Sequence, residues 1–94
     1  MSESKMLRVI GGNIRAARIR AGLTQECLAE LVGLHWQTIS NTERGLNPLA
    51  ITNFALVAQH LGVTADALLD GIPPIDKERA AKIRRALARK RQST

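Results

Sequence analysis

Two short segments with helical apolar spacing, parted by one glycine, constrain this chain more than any other feature. They lie between Thr24 and Arg44. Leu28, Ala29 and Val32 make the apolar face of the first, and Ile39 is the apolar pin of the second. Thr24 is of the residue type that caps a helix, and Glu26 suits the positive end of the helix it opens. Gly33 falls between the segments, where a turn with positive φ is easy only for glycine. Small Ala29 sits where two crossing helices come closest.

The rest of the chain reads as helices around this pair. Leu7, Ile10, Ile14, Ala17 and Ala21 recur at spacings of three and four, which predicts a first helix from Met6 to Ala21. Gly11 and Gly12 each weaken it by about 1 kcal/mol relative to Ala, so its start can move to Ile10. The second helix ends at Gly33, and the third runs from His35 to Arg44 with Gly45 as its stop. Asn47-Pro48 marks the next start, because Pro suits a first helical turn. Phe54, Val57, Ala58 and Leu61 give that fourth helix its apolar face. Thr64 caps a short fifth helix, Ala65 to Leu69. Gly71-Ile72-Pro73-Pro74 is a break, after which Asp76 to Arg91 can form a sixth helix on a thin stripe of Ala80, Ile83 and Leu87. There is no internal repeat and no strand-like alternation. The expectation is an all-α, compact five-helix domain at 1–72 with a basic tail at 73–94. Two short helices joined through a Gly-containing turn form a helix-turn-helix.

Composition bounds the function. A length of 94 residues allows one domain with a modest core. Cys27 is the one cysteine, which excludes an intrachain disulfide and a cysteine metal cluster; Cys27 itself reads as a small helix residue near the surface. His35 and His60 have no partner at ligand spacing, so no metal or other cofactor is expected. No apolar run approaches the roughly 18 residues of a membrane span, and the N-terminal segment lacks the apolar region of a signal peptide. A cytoplasmic protein without a membrane partner is therefore expected. Nothing supports catalysis: no nucleophile has a partnered histidine, and there is no phosphate-cradling glycine loop or acidic metal cluster. The net charge is +6, unevenly placed. Residues 1–75 carry six Lys/Arg and six Asp/Glu, whereas residues 76–94 carry eight and two. The basic balance, which favours nucleic acid, thus belongs to the tail.

The stretch Ile14 to Leu69, about 60% of the chain, resembles the Cro/C1-type (lambda repressor-like, XRE-family) helix-turn-helix DNA-binding proteins. The residues that carry the resemblance are Ile14-Arg15 with Arg18, Gly22-Leu23-Thr24-Gln25-Glu26, Leu28-Ala29, Gly33, Thr38-Ile39-Ser40 and Glu43-Arg44-Gly45. Asn47-Pro48, Ala58, Leu61-Gly62-Val63 and Leu68-Leu69 continue it. The resemblance implies that the third helix enters the major groove, with Trp36, Gln37, Thr38 and Asn41 reading bases. Gln37 and Asn41 suit that role because an amide can bond two adenine edge atoms at once. Thr24, Gln25, Arg44 and Asn47 would hold phosphates, with Asn53 a further candidate; backbone N–H groups at the start of the second helix also favour an anion. Arg18 and Glu43 would form an ion pair joining the first helix to the end of the third, the alternative being two separately solvated charges. Three residues depart from the family pattern. His35 stands where a Ser or Thr cap is usual, Trp36 is bulkier than the usual polar residue, and Thr42 replaces a usual aliphatic residue.

Several readings stay open in the sequence. Trp36 either contacts DNA or folds back on the domain. The tail is a solvated charge run, a set of phosphate contacts, or a helix that pairs with another chain through Ile83 and Leu87. Double-stranded DNA is the expected partner and a homodimer the expected assembly, since a dimer reads two half-sites one DNA turn apart. Leu68, Leu69 and Ile51, with Leu46 and Leu49, are candidates for the two-fold contact; the alternative is that they close the monomer core. The first functional reading is a transcriptional regulator, a repressor by preference. The alternatives are an antitoxin with a protein toxin as partner, or a restriction-modification controller protein.

Overall fold

The computed structural model describes residues 1–92. Ser93 and Thr94, the last residues of the expected tail, lie outside the described residues. Those described form six helices and no strand: α1 (Glu3–Arg20), α2 (Gln25–Val32), α3 (Trp36–Glu43), α4 (Ile51–Leu61), α5 (Ala65–Leu68) and α6 (Lys77–Gln92).

Local chemistry sets most of these boundaries. The hydroxyls of Thr24 and Thr64 accept from the N–H groups of Cys27 and Ala67, and so cap α2 and α5. His35 fills the expected cap position of α3, its Nδ1 accepting from Gln37 N–H at 3.3 Å. The α2–α3 turn passes through Gly33 at φ 73°. Two starts differ from the sequence expectation. α1 begins earlier, at Glu3, because Ser2 caps it by accepting from Lys5 N–H. α4 begins later, at Ile51, without a side-chain cap. Leu49 packs against the core and anchors the preceding segment as a loop, so Asn47-Pro48 precedes the helix rather than opening it.

α2 packs on α3, α1 lies across α3, α4 backs α2, and α5 closes the space between α1 and α4. Ile14, Leu28, Ile39, Val57 and Leu68 are the most deeply buried side chains. Leu68 is only 1% exposed, so it belongs to the core of a single chain; of the candidates for a two-fold contact, Leu69 and Ile51 reach the surface. Asn13 secures α5 by donating through Nδ2 to the carbonyls of Leu68 and Asp70, at 2.9 and 2.8 Å. α6 has no extended packing on the other helices, and the molecule measures 54 Å along one axis against 24 and 22 Å across.

Gly11 shows why α1 tolerates a glycine inside a helix. A Cβ there would stand 2.7 Å from the Glu43 carbonyl oxygen and nearer still to that of Thr42. The backbones of α1 and α3 therefore touch directly. Gly45 repeats the device one turn away, since a Cβ would meet the Cα of Arg8 at 2.7 Å. Gly12, by contrast, faces open space. Thr42, which lies beside this contact, is 5% exposed. Its hydroxyl has no hydrogen-bond partner among the described residues, and such a buried orphan costs about 1–3 kcal/mol.

Two stability predictions result. Gly11→Ala should push α1 off α3 and cost about 1–3 kcal/mol, whereas Gly12→Ala should add about 1 kcal/mol through helix propensity; midpoints of urea unfolding separate the two. Thr42→Val keeps the shape and removes the orphan hydroxyl, so it should raise stability by about 1–2 kcal/mol in the same assay.

Candidate nucleic-acid interface

The interface is built on one buried ion pair. Arg18 of α1 meets Glu43 of α3 in a two-point contact, Nε to Oε2 at 2.7 Å and Nη2 to Oε1 at 2.9 Å. The side chains are 10% and 1% exposed. Arg18 also donates through Nη1 to the Leu23 carbonyl at 2.8 Å, which ties in the α1–α2 turn. Gln25 donates through Nε2 to Glu43 Oε1 at 3.1 Å, which ties in the start of α2. The hydrogen bond that Arg18 donates to the Glu43 carboxylate raises its pKa above the ordinary value, against the opposing pull of burial. Three elements thus converge on one carboxylate, and the charge of each partner is met by hydrogen bonds.

This lock holds α3 from its inner side. Ile39, Thr42 and Glu43 point into the molecule. Gln37, Asn41 and Arg44 follow at spacings of four and three, which places them on the opposite side. Gln37, Thr38 and Arg44 are exposed and Asn41 is half buried. Trp36 is 46% exposed, so it does not fold back into the domain; its ring lies 6.2 Å from that of His35, tilted by 30°. Asn47 is exposed in the α3–α4 loop, and Asn53 is half buried in the first turn of α4. Thr24 is exposed at the α2 start, and its capping bond leaves the hydroxyl proton to donate elsewhere. Cys27 is exposed beside it.

Gln25 differs from the others. It was expected to face a phosphate, but its amide nitrogen is engaged with Glu43. Sequence reasoning also passed over Ser40 and Asn13. Ser40 is half buried on the side of α3 that carries Gln37 and Arg44; its spacing from those two residues was the signal that could have found it. Asn13 had no such signal, because its partners are carbonyls distant in sequence.

Comparison with known proteins agrees with this geometry. The family model for helix-turn-helix proteins, HTH_3, matches residues 14–68. Among solved structures, the chain is similar to the restriction-modification controller protein C.AhdI from Aeromonas hydrophila. That match has 32% identity and a TM-score of 0.63, and covers 66% of this chain and 94% of that one. A hypothetical transcription factor NHTF from Neisseria matches at 34% identity and a TM-score of 0.66, over 86% of this chain and 88% of its own. The clp gene regulator ClgR from C. glutamicum matches at 26% identity and a TM-score of 0.64, over 68% of this chain and 83% of its own. No curated protein sequence matches significantly.

The chain belongs to the HTH_3 family, of the XRE or Cro/C1 type, with the lambda repressor-like fold. It is a non-enzymatic DNA-binding protein of the transcription-regulator class, and its helix-turn-helix is the DNA-binding element. No helix among the described residues is long and apolar enough to cross a membrane.

The ion pair yields a direct test. Glu43→Gln leaves the Arg18 charge buried without its counter-charge, and breaking such a pair costs about 3–5 kcal/mol. Thermal unfolding should register that loss, and DNA affinity should fall with it because α3 loses its anchor. Unchanged stability and affinity would mean that the pair does not hold α3.

Proposed function

We propose that the chain is a sequence-specific transcriptional repressor that binds a near-palindromic operator as a homodimer. The observation that carries this is the Arg18–Glu43 lock, which presents the outer row of α3 while keeping its inner row in the core. Trp36, Gln37, Thr38 and Asn41 read base edges. Thr24, Arg44, Asn47 and Asn53 hold phosphates, with Gln25 aligning the lock and adding a contact at its edge. Residues 1–72 make up the operator-binding domain, and 73–94 are an appendage to it. Ile51, 78% exposed, and Leu69 supply the two-fold contact. They rim an apolar groove of about 200 Å³ that also includes Leu7, Ile10 and Phe54.

A restriction-modification controller is the second reading. It is supported by the likeness to C.AhdI, almost the whole length of which is matched. No specific observation favours the antitoxin alternative.

Binding selection on random duplexes tests the common core. The expected outcome is an enriched near-palindrome with half-sites one helical turn apart. Gln37→Ala and Asn41→Ala should each relax preference at one base position, by about 1–3 kcal/mol. Arg44→Ala should weaken all sequences alike. A pool with no enriched site would sink the proposal.

A further inference from the structure

α3 carries two large apolar side chains. Ile39 is 1% exposed and holds the helix to the core. Trp36, the first residue of the helix, stays 46% exposed. The residues that follow it, Gln37 and Thr38, are polar and exposed. A single apolar side chain on a protein surface is ordinary and by itself calls for no partner. The position of this one is not ordinary. In a helix-turn-helix the N-terminal residues of the second helix face base edges in the major groove, and α3 is the second helix of this motif.

The ring is also oriented before DNA arrives. His35 caps α3, its Nδ1 accepting from Gln37 N–H, which holds the imidazole against the first turn. The indole of Trp36 lies beside that imidazole, with 6.2 Å between ring centres and 30° between planes, a spacing at which aromatic rings interact. A side chain already held in one orientation gives up little freedom on binding.

The chemistry of the groove narrows what such a ring can read. Base edges there present hydrogen-bond donors and acceptors, and one apolar group among them, the 5-methyl of thymine. Indole has a single N–H donor and no acceptor. It cannot accept from the amino groups of adenine or cytosine, and the acceptors open to its N–H recur on guanine, adenine and thymine. Gln37, Thr38 and Asn41 supply donors and acceptors from the same helix. The broad apolar surface comes from Trp36 alone.

We infer that Trp36 selects thymine by covering its 5-methyl group in the major groove. The inference rests on the operator-binding reading above and gives one residue of that reading its base and its chemistry. A deoxyribose would also offer the ring an apolar surface, but sugars are alike in every nucleotide and carry no sequence information.

The test uses deoxyuridine, which pairs with adenine as thymine does and lacks only the methyl group. Each thymine of the selected operator duplex is replaced by deoxyuridine in turn. Every duplex is measured with the full chain, with Trp36→Ala and with Trp36→Phe. One thymine in each half-site should be sensitive. Its replacement should weaken wild-type binding about four-fold, the worth of one buried methyl-sized group. Replacing both should weaken it about sixteen-fold, since distant contacts add. Trp36→Ala should bind the thymine duplex more weakly and no longer distinguish thymine from deoxyuridine at that position. Trp36→Phe keeps an apolar ring and should retain part of the distinction. Thermal unfolding of both variants should stay close to that of the wild type, because the ring lies outside the core.

A wild type indifferent to deoxyuridine at every thymine would overturn the methyl contact while leaving the operator reading intact. So would a sensitivity that survives in Trp36→Ala, which would assign the methyl to another residue such as Thr38. Trp36→Ala weakening operator and scrambled duplexes alike, with the deoxyuridine penalty unchanged, would assign the ring to the sugar-phosphate backbone and overturn the inference too. A wild type that enriches no site would overturn both readings.

Discussion

A single carboxylate organises the part of this molecule that meets DNA. Glu43 accepts from Arg18 at two points and from Gln25 at a third, while Arg18 reaches on to the Leu23 carbonyl. Taking two charges out of water costs several kcal/mol per ion, and only close geometry with further hydrogen bonds repays it. Both conditions are met here. The pair connects α1, the α1–α2 turn, the start of α2 and the last turn of α3. A helix of eight residues has little stability of its own, so its orientation is whatever these contacts impose.

The glycine contacts work in the same place. Gly11 and Gly45 let the backbone of α1 lie against the end of α3 with no side chain between them. Bulk at either point would lever α3 outward and stretch the ion pair beside it. α3 is thus held along its inner side by Ile39, by Glu43 and by direct backbone contact, and its outer row is left to solvent. The buried hydroxyl of Thr42 works against this arrangement, and no contact among the described residues offsets it.

Charge and shape are divided between two regions. The compact body is nearly neutral, and the outer row of α3 presents shape and hydrogen-bonding groups with little net charge. The excess basic charge lies in the C-terminal tail, all of its Lys and Arg on α6. Uniform attraction to phosphates raises affinity for every sequence alike. On the proposed reading, keeping it off α3 leaves specificity to the outward residues Trp36, Gln37, Thr38 and Asn41.

Much of the fold was legible because short-range rules decide it. The caps at Thr24, His35 and Thr64, the turn at Gly33 and the apolar spacing of Leu28, Ala29, Val32 and Ile39 are all local, and the helix-turn-helix followed from them. The Arg18–Glu43 pair was also anticipated, but through resemblance, since nothing in spacing joins residues so far apart in the chain. Other features were beyond reach. Gly11 and Gly12 look alike in sequence, yet only one of them is pressed against another backbone. Leu68 and Leu69 are neighbours, yet one is in the core and the other on the surface. Asn13 and Gln25 found partners that no local pattern names. The sequence by itself determined which segments are helical and where they stop, because capping, glycine turns and apolar periodicity act within a few residues. Only the tertiary structure decided which side chains meet, because contact depends on how helices cross, and that is set by the packing of the whole core.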